Sequence, residues 1–149
     1  MALNKKQIER KVWDAINRQD FDALDELLAS EYALIDLASD PEQKYDREEV
    51  KGQLAQIAAA IPGGAVEIVA QSTTYEGEVV TRFVYRAPGS DGETLSFQGI
   101  SISKVQKGQL QYRHVLWEAL RAAQELQPPV TPWRWPPWRW PPKPRPRPK

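Results

Sequence analysis

The chain has 149 residues, with 20 Lys and Arg against 20 Asp and Glu, one His, no Cys, 13 Pro and 6 Trp. One domain of this length buries a core without disulfides or a structural metal, and the absence of Cys excludes disulfide scaffolds, thiolate zinc sites, iron–sulfur clusters and cysteine nucleophiles. The neutral total hides a split: residues 128–149 carry six cations (Arg134, Arg139, Lys143, Arg145, Arg147 and Lys149) and no acid, so an acidic body of residues 1–127 precedes a basic tail.

Asn4 with Gln7 forms a capping box, and Ile8, Val12, Trp13 and Ile16 then recur on one face, which predicts a helix over roughly 5–18. Asp20 caps a second, short helix with the stripe Phe21, Leu24, Leu27 and Leu28, followed by a strand over Tyr32–Leu37 that Ser39-Asp40-Pro41 breaks. Asp46 with Glu49 opens a third helix burying Val50, Leu54, Ile57, Ala58 and Ile61, and Pro62-Gly63-Gly64 stops it. From Val66 the period changes to two. Strands are predicted over 66–74, 79–86, 94–104 and 109–118, joined at Glu76-Gly77, at residues 88–92 and at Lys107-Gly108. Gly99 inside the third of these four strands predicts a bulge. A short helical segment, Ala119 to Leu126, is expected before the prolines. Helices followed by a bent antiparallel meander give an α+β domain whose curved sheet encloses a cavity. No apolar run approaches the ~20 residues of a membrane span and no signal-peptide pattern opens the chain, so a cytoplasmic location is expected.

The stretches Phe21-Asp22-Ala23-Leu24-Asp25-Glu26-Leu27-Leu28-Ala29, Phe97-Gln98-Gly99-Ile100-Ser101-Ile102-Ser103-Lys104-Val105 and Lys107-Gly108-Gln109-Leu110, the last running into Trp117-Glu118-Ala119-Leu120, resemble the SnoaL-like polyketide cyclase branch of the nuclear transport factor 2-like superfamily over about residues 5–126. The resemblance implies a cone-shaped α+β fold of the cystatin-like kind, a pocket for a small apolar ligand, and cyclase- or isomerase-like acid/base chemistry. It places the family's His near Pro88 or Gly89 and its Asp on or beside Ser101, neither of which can act as a base alone.

Other residues are therefore candidates for chemistry. His114 is the single His, a residue type suited to acid/base work near neutral pH, and alternation puts Leu110, Tyr112, His114, Leu116 and Glu118 on one face of the last strand. Its bland alternative is a hydrogen-bonded core histidine. Asp36 is an acid in an apolar strand and suits a general base if buried; alternatively it caps the following turn. Trp13, Tyr32, Tyr85, Phe97, Tyr112 and Glu118 complete the expected ligand site, with Tyr32, Tyr45 and Tyr112 as possible donors to a developing oxyanion and Glu118 equally suited to capping a helix. With one His, no Cys and no calcium-loop spacing, no metal or other cofactor is expected.

In the tail, Pro132-Trp133-Arg134-Trp135-Pro136 repeats as Pro137-Trp138-Arg139-Trp140-Pro141, then Pro alternates with cations. This composition is similar to Trp/Arg/Pro-rich peptides of the indolicidin kind. It suits an extended polyproline rod whose Trp133, Arg134, Trp135, Trp138, Arg139 and Trp140 bind the acidic body or a neighbouring subunit, an anionic membrane or nucleic-acid surface, or a proline-recognition domain; an appended low-complexity or engineered segment with no partner is the remaining alternative. A homodimer is expected through an outer sheet face carrying Val80, Val84 and Val115 among Arg82, Arg86 and Arg113. The alternative to a ligand-binding body is a non-catalytic dimeric scaffold whose tail does the docking.

Overall fold

The computed structural model describes residues 3–38, 42–89 and 92–118. The tail and the short helix expected over Ala119 to Leu126 lie outside these residues, as does the Ser39-Asp40-Pro41 break.

Helix α1, Lys5–Asn17, begins where predicted: the Asn4 side chain accepts from the Gln7 N–H and the Gln7 side chain accepts from the Asn4 N–H, each at 2.8 Å. Its inner face sets Ile8, Val12 and Ala15 into a core shared with Leu24, Leu28 and Leu110. Asp20 accepts from the Ala23 N–H and starts a single 3-10 turn, Phe21–Ala23, which leads into α2, Leu24–Leu27. Strand β1, Leu28–Asp36, starts earlier than the alternation suggested, because Leu28 and Ala29 are both buried and a register shift falls between Leu28 and Ala33. Strand β2, Gln43–Asp46, escaped the sequence reading altogether. Only Tyr45 of its four residues is buried, and what makes it a strand is its ladder to Ala33–Asp36 of β1. The Asp46–Glu49 capping box then opens α3, Arg47–Ala60, as expected.

Strands β3 (Ala65–Thr73), β4 (Glu78–Pro88), β5 (Thr94–Gln106) and β6 (Gln109–Trp117) form the predicted antiparallel meander. The chain closes on itself when β1 pairs parallel with β6, giving one six-stranded sheet in the order β2-β1-β6-β5-β4-β3. The helices cover one face.

Two expectations about the sheet are corrected. Gly99 is no bulge: it stays in register between Phe83 and Trp117, and a Cβ there would overlap the Phe83 ring and lie 2.6 Å from Trp117 Cβ. Glycine is required because two side chains close over it. The bulge lies on β6, where Val105 pairs with Leu110 but Lys104 pairs with Tyr112, leaving Gln111 as the extra residue. An inserted residue reverses the side-chain parity beyond it. Leu110 and Arg113 therefore both face the helices and are buried, Val115 and Trp117 follow Arg113 inward, and Tyr112, His114 and Leu116 turn outward. The expected single face of Leu110, Tyr112, His114, Leu116 and Glu118 does not exist. For the same reason Arg113 and Val115 leave the outer face, where Val80, Arg82, Val84 and Arg86 are instead accompanied by Ile100, Ile102 and Leu116.

Candidate functional site

A cavity of about 190 Å³ lies between α1, α3 and the concave face of the sheet. Its walls are mainly apolar: Ile16 from α1, Leu54 and Ile57 from α3, Leu34 from β1, Phe83 from β4 and Val115 from β6 all contribute. Burying ligand surface against such walls is favourable by about 25 cal/mol per Å².

Polar groups enter this wall at defined places. Arg113 is 4% exposed and lines the cavity. Its Nη2 donates to Glu9 Oε1 at 2.7 Å, its Nε donates to Ser103 Oγ at 3.3 Å, and its Cζ stands 4.2 Å from the centre of the Trp13 ring. Glu9 is wholly buried, one helical turn before Trp13, whose Nε1–H donates to the same Oε1 at 3.0 Å. The helix thus holds carboxylate and indole on one face, and both engage the guanidinium. A buried charge needs a partner, and each supplies the other's, with Glu9 Oε2 left buried and without a hydrogen bond among the described residues.

Tyr32 comes from β1, on the same face as Leu34, whose neighbour on β6 is Arg113. Burial pushes the Tyr32 phenol up to about 12; the Arg113 charge works against that shift and the Glu9 charge with it. Tyr32 is thus a neutral hydroxyl over the whole physiological range. Tyr85, at the Gly64 side of the cavity, is likewise pushed up to about 12 by burial. A Cβ on Gly64 would overlap its hydroxyl. Asn17 also lines the wall, but its amide is used in both directions by the backbone of Val66, at 2.7 and 2.8 Å.

Of the residues predicted for the site, the structure brings Trp13, Tyr32 and Tyr85 together on the cavity wall. Phe97 is fully buried behind them, stacked on Tyr85 with 6.4 Å between ring centres. Tyr112 lies on the outer face and donates to Glu78 Oε2 at 2.5 Å, a bond that, with burial, raises its phenol to about 12. His114 is beside it on that outer face, the two rings 5.1 Å apart, so the imidazole is on the opposite side of the sheet from the cavity. Asp36 takes the turn-capping alternative, accepting the Ala38 N–H at 2.9 Å, and Glu118 accepts the Gln98 N–H at 2.8 Å. Neither carboxylate contributes to the cavity wall. The six tail residues from Trp133 to Arg139 and Trp140 lie outside the described residues.

The sequence alone places Arg113 on the outer face of the sheet and gives Glu9 no role in the site. Glu9 carried a usable signal, an acid set among Ile8, Val12 and Trp13 on the apolar side of the first helix. Arg113 carried none, since the bulge that turns it inward has no mark in the residues around it. Among the described residues no cluster of three His, Asp or Glu could hold a metal, and no helix is long and apolar enough to cross a membrane.

Comparison with known proteins agrees with this architecture. The family model for the SnoaL-like domain matches residues 10–113. IdmH of Streptomyces antibioticus, a proposed polyketide cyclase, superposes with a TM-score of 0.68 at 19% identity, over 77% of this chain and 92% of its own. TsrD of Streptomyces laurentii gives 0.65 at 18% identity over 83% and 97% of the two chains. A nuclear transport factor 2-like protein of unknown function from Burkholderia pseudomallei gives 0.67 at 13% identity over 83% and 98%. At these identities the likeness is one of fold, and no curated protein matches the chain. With a family model spanning most of the described body, and three helices laid on the concave side of a six-stranded sheet, the chain belongs to the SnoaL-like domain family.

Proposed function

We propose that this protein binds a small, largely apolar ligand inside the cone. The observation that supports it is the cavity itself: about 190 Å³, walled by aliphatic and aromatic side chains, with a few polar groups at fixed points. An apolar cavity of roughly 150 Å³ suffices to hold a benzene molecule, so a ligand of one or two rings is of the right size. Among the described residues, the wall carries hydroxyl, amide and guanidinium groups but no carboxylate or imidazole. Proton abstraction from carbon needs such a base within hydrogen-bond reach, and binding does not. The wall therefore favours binding over the cyclase- or isomerase-like route. The test is calorimetric titration with naphthalene-sized compounds, against a variant in which Ala58→Trp fills the cavity. Binding that the variant abolishes supports the reading. Turnover of an enolisable ketone that Asp36→Asn or His114→Ala abolishes would restore the acid/base route instead.

A second reading concerns assembly. We propose that two copies pair through the outer face of the sheet. Ile100 and Leu116, directly opposed on β5 and β6, are 47% and 51% exposed, and Ile102 further along β5 and Val80 on β4 continue the apolar surface. Apolar residues flanked by Arg82 and Arg86 have the composition of an interface centre with a polar rim.

A further inference from the structure

We infer that the ligand presents an uncharged acceptor oxygen, as in a ketone, aldehyde or amide, to Tyr32 and Arg113, and that the site rejects the corresponding carboxylate. The inference rests on the proposed binding role of the cavity and assigns the chemical class of its ligand.

Two observations carry it. The first is a pair of donors without acceptors. Arg113 spends Nη2 on Glu9 and Nε on Ser103, and its Nη1 has no hydrogen-bond partner among the described residues; the Tyr32 hydroxyl has none either. Both side chains line the cavity from neighbouring strands, and they are 4% and 3% exposed. A hydrocarbon seated against these two groups would strip them of water and return no hydrogen bond, so an oxygen that accepts from both is recognised and a hydrocarbon is not. The second is charge balance. Glu9, wholly buried at 2.7 Å, already neutralises the guanidinium. An anionic ligand would bring a second negative charge to one positive charge in a largely apolar cavity, and nothing else on the described wall is cationic. A carbonyl oxygen takes the two donors and adds no charge. The Tyr32 phenol, held at about 12, stays a donor throughout.

The experiment compares three ligands of one shape on the full chain near neutral pH by calorimetry: methyl naphthyl ketone, naphthoate and isopropylnaphthalene. The expected order places the ketone first, at least about tenfold tighter than either of the others, a gap that Tyr32→Phe narrows. Glu9→Gln should reverse the charge preference, weakening the ketone little and tightening naphthoate by about tenfold or more, because the guanidinium is then unneutralised. If isopropylnaphthalene binds the wild-type protein as tightly as the ketone, the donor pair is not a recognition site and the inference falls while the cavity reading stands. If naphthoate binds tightest to the wild type, the charge-balance argument falls. If none of the three binds, the ligand-binding reading itself fails. Should Glu9→Gln not fold, the wild-type order and Tyr32→Phe still decide.

Discussion

Arg113 Nη2 stands 2.7 Å from Glu9 Oε1, joining the last strand to the first helix across 104 residues of chain. Both groups are buried, so removing either partner leaves a charge without compensation. Arg113→Met or Glu9→Leu alone is expected to cost about 3–5 kcal/mol, whereas the double replacement should recover most of that loss. Chemical denaturation of the two single variants and the double variant measures the coupling. Equal and additive losses would show that the pair is screened rather than buried.

The close approach at Gly99 gives a second expectation. Gly99→Ala places a methyl against the Phe83 ring and Trp117 Cβ, atoms that cannot move without disturbing the cavity wall. A loss of about 1–3 kcal/mol is expected from overpacking, with a matching fall in Tm. Gly52, on the exposed side of α3, has open space for a Cβ, with nothing within 4 Å of it. Gly52→Ala should therefore be stabilising, by about 0.5–1 kcal/mol through helix propensity.

Alkaline pH should weaken the fold. Tyr32 and Tyr85 are each raised from 10.0 to about 12 in the folded chain, chiefly by burial. Between these values the folded state holds protons that the unfolded state has released, so stability is full below about pH 10 and declines as pH rises toward 12. Ultraviolet titration should show these phenols ionising late, together with Tyr112, whose bond to Glu78 holds its proton. Tyr32→Phe should flatten the alkaline limb of the stability curve. A limb of unchanged slope would place the Tyr32 phenol in contact with water.

The outer face makes the oligomeric state testable. Leu116→Glu and Ile100→Lys each put a charge at the centre of the exposed apolar surface. Sedimentation should show a dimer in the wild type and a monomer in both variants, with cavity ligand binding retained. Unchanged sedimentation in both variants would exclude this face as the interface.

What the sequence determined by itself was everything fixed by contacts within a few residues. The capping boxes at Asn4–Gln7 and Asp46–Glu49 are local hydrogen bonds, and both helices start at them. The turns at Gly77 and Gly108 have positive φ, 86° and 76°, which glycine adopts without strain, so the hairpins were visible as well. From these came the helix order, the meander and the family resemblance. Trp13 and Tyr85 reached the correct wall because no irregularity interrupts the stretch of helix or strand that presents them, and Tyr32, at the register shift of β1, reached it on the same face as Leu34 beyond the shift. The tertiary structure decided what depends on pairing between distant strands. Strand β2 exists through its ladder to β1, having almost no apolar content of its own. One extra residue at Gln111 exchanged the two faces of β6, bringing Arg113 in to meet Glu9 and sending His114 out. Side-chain parity along a strand holds only while the register is unbroken, and register is set by the partner strand rather than by the residues themselves.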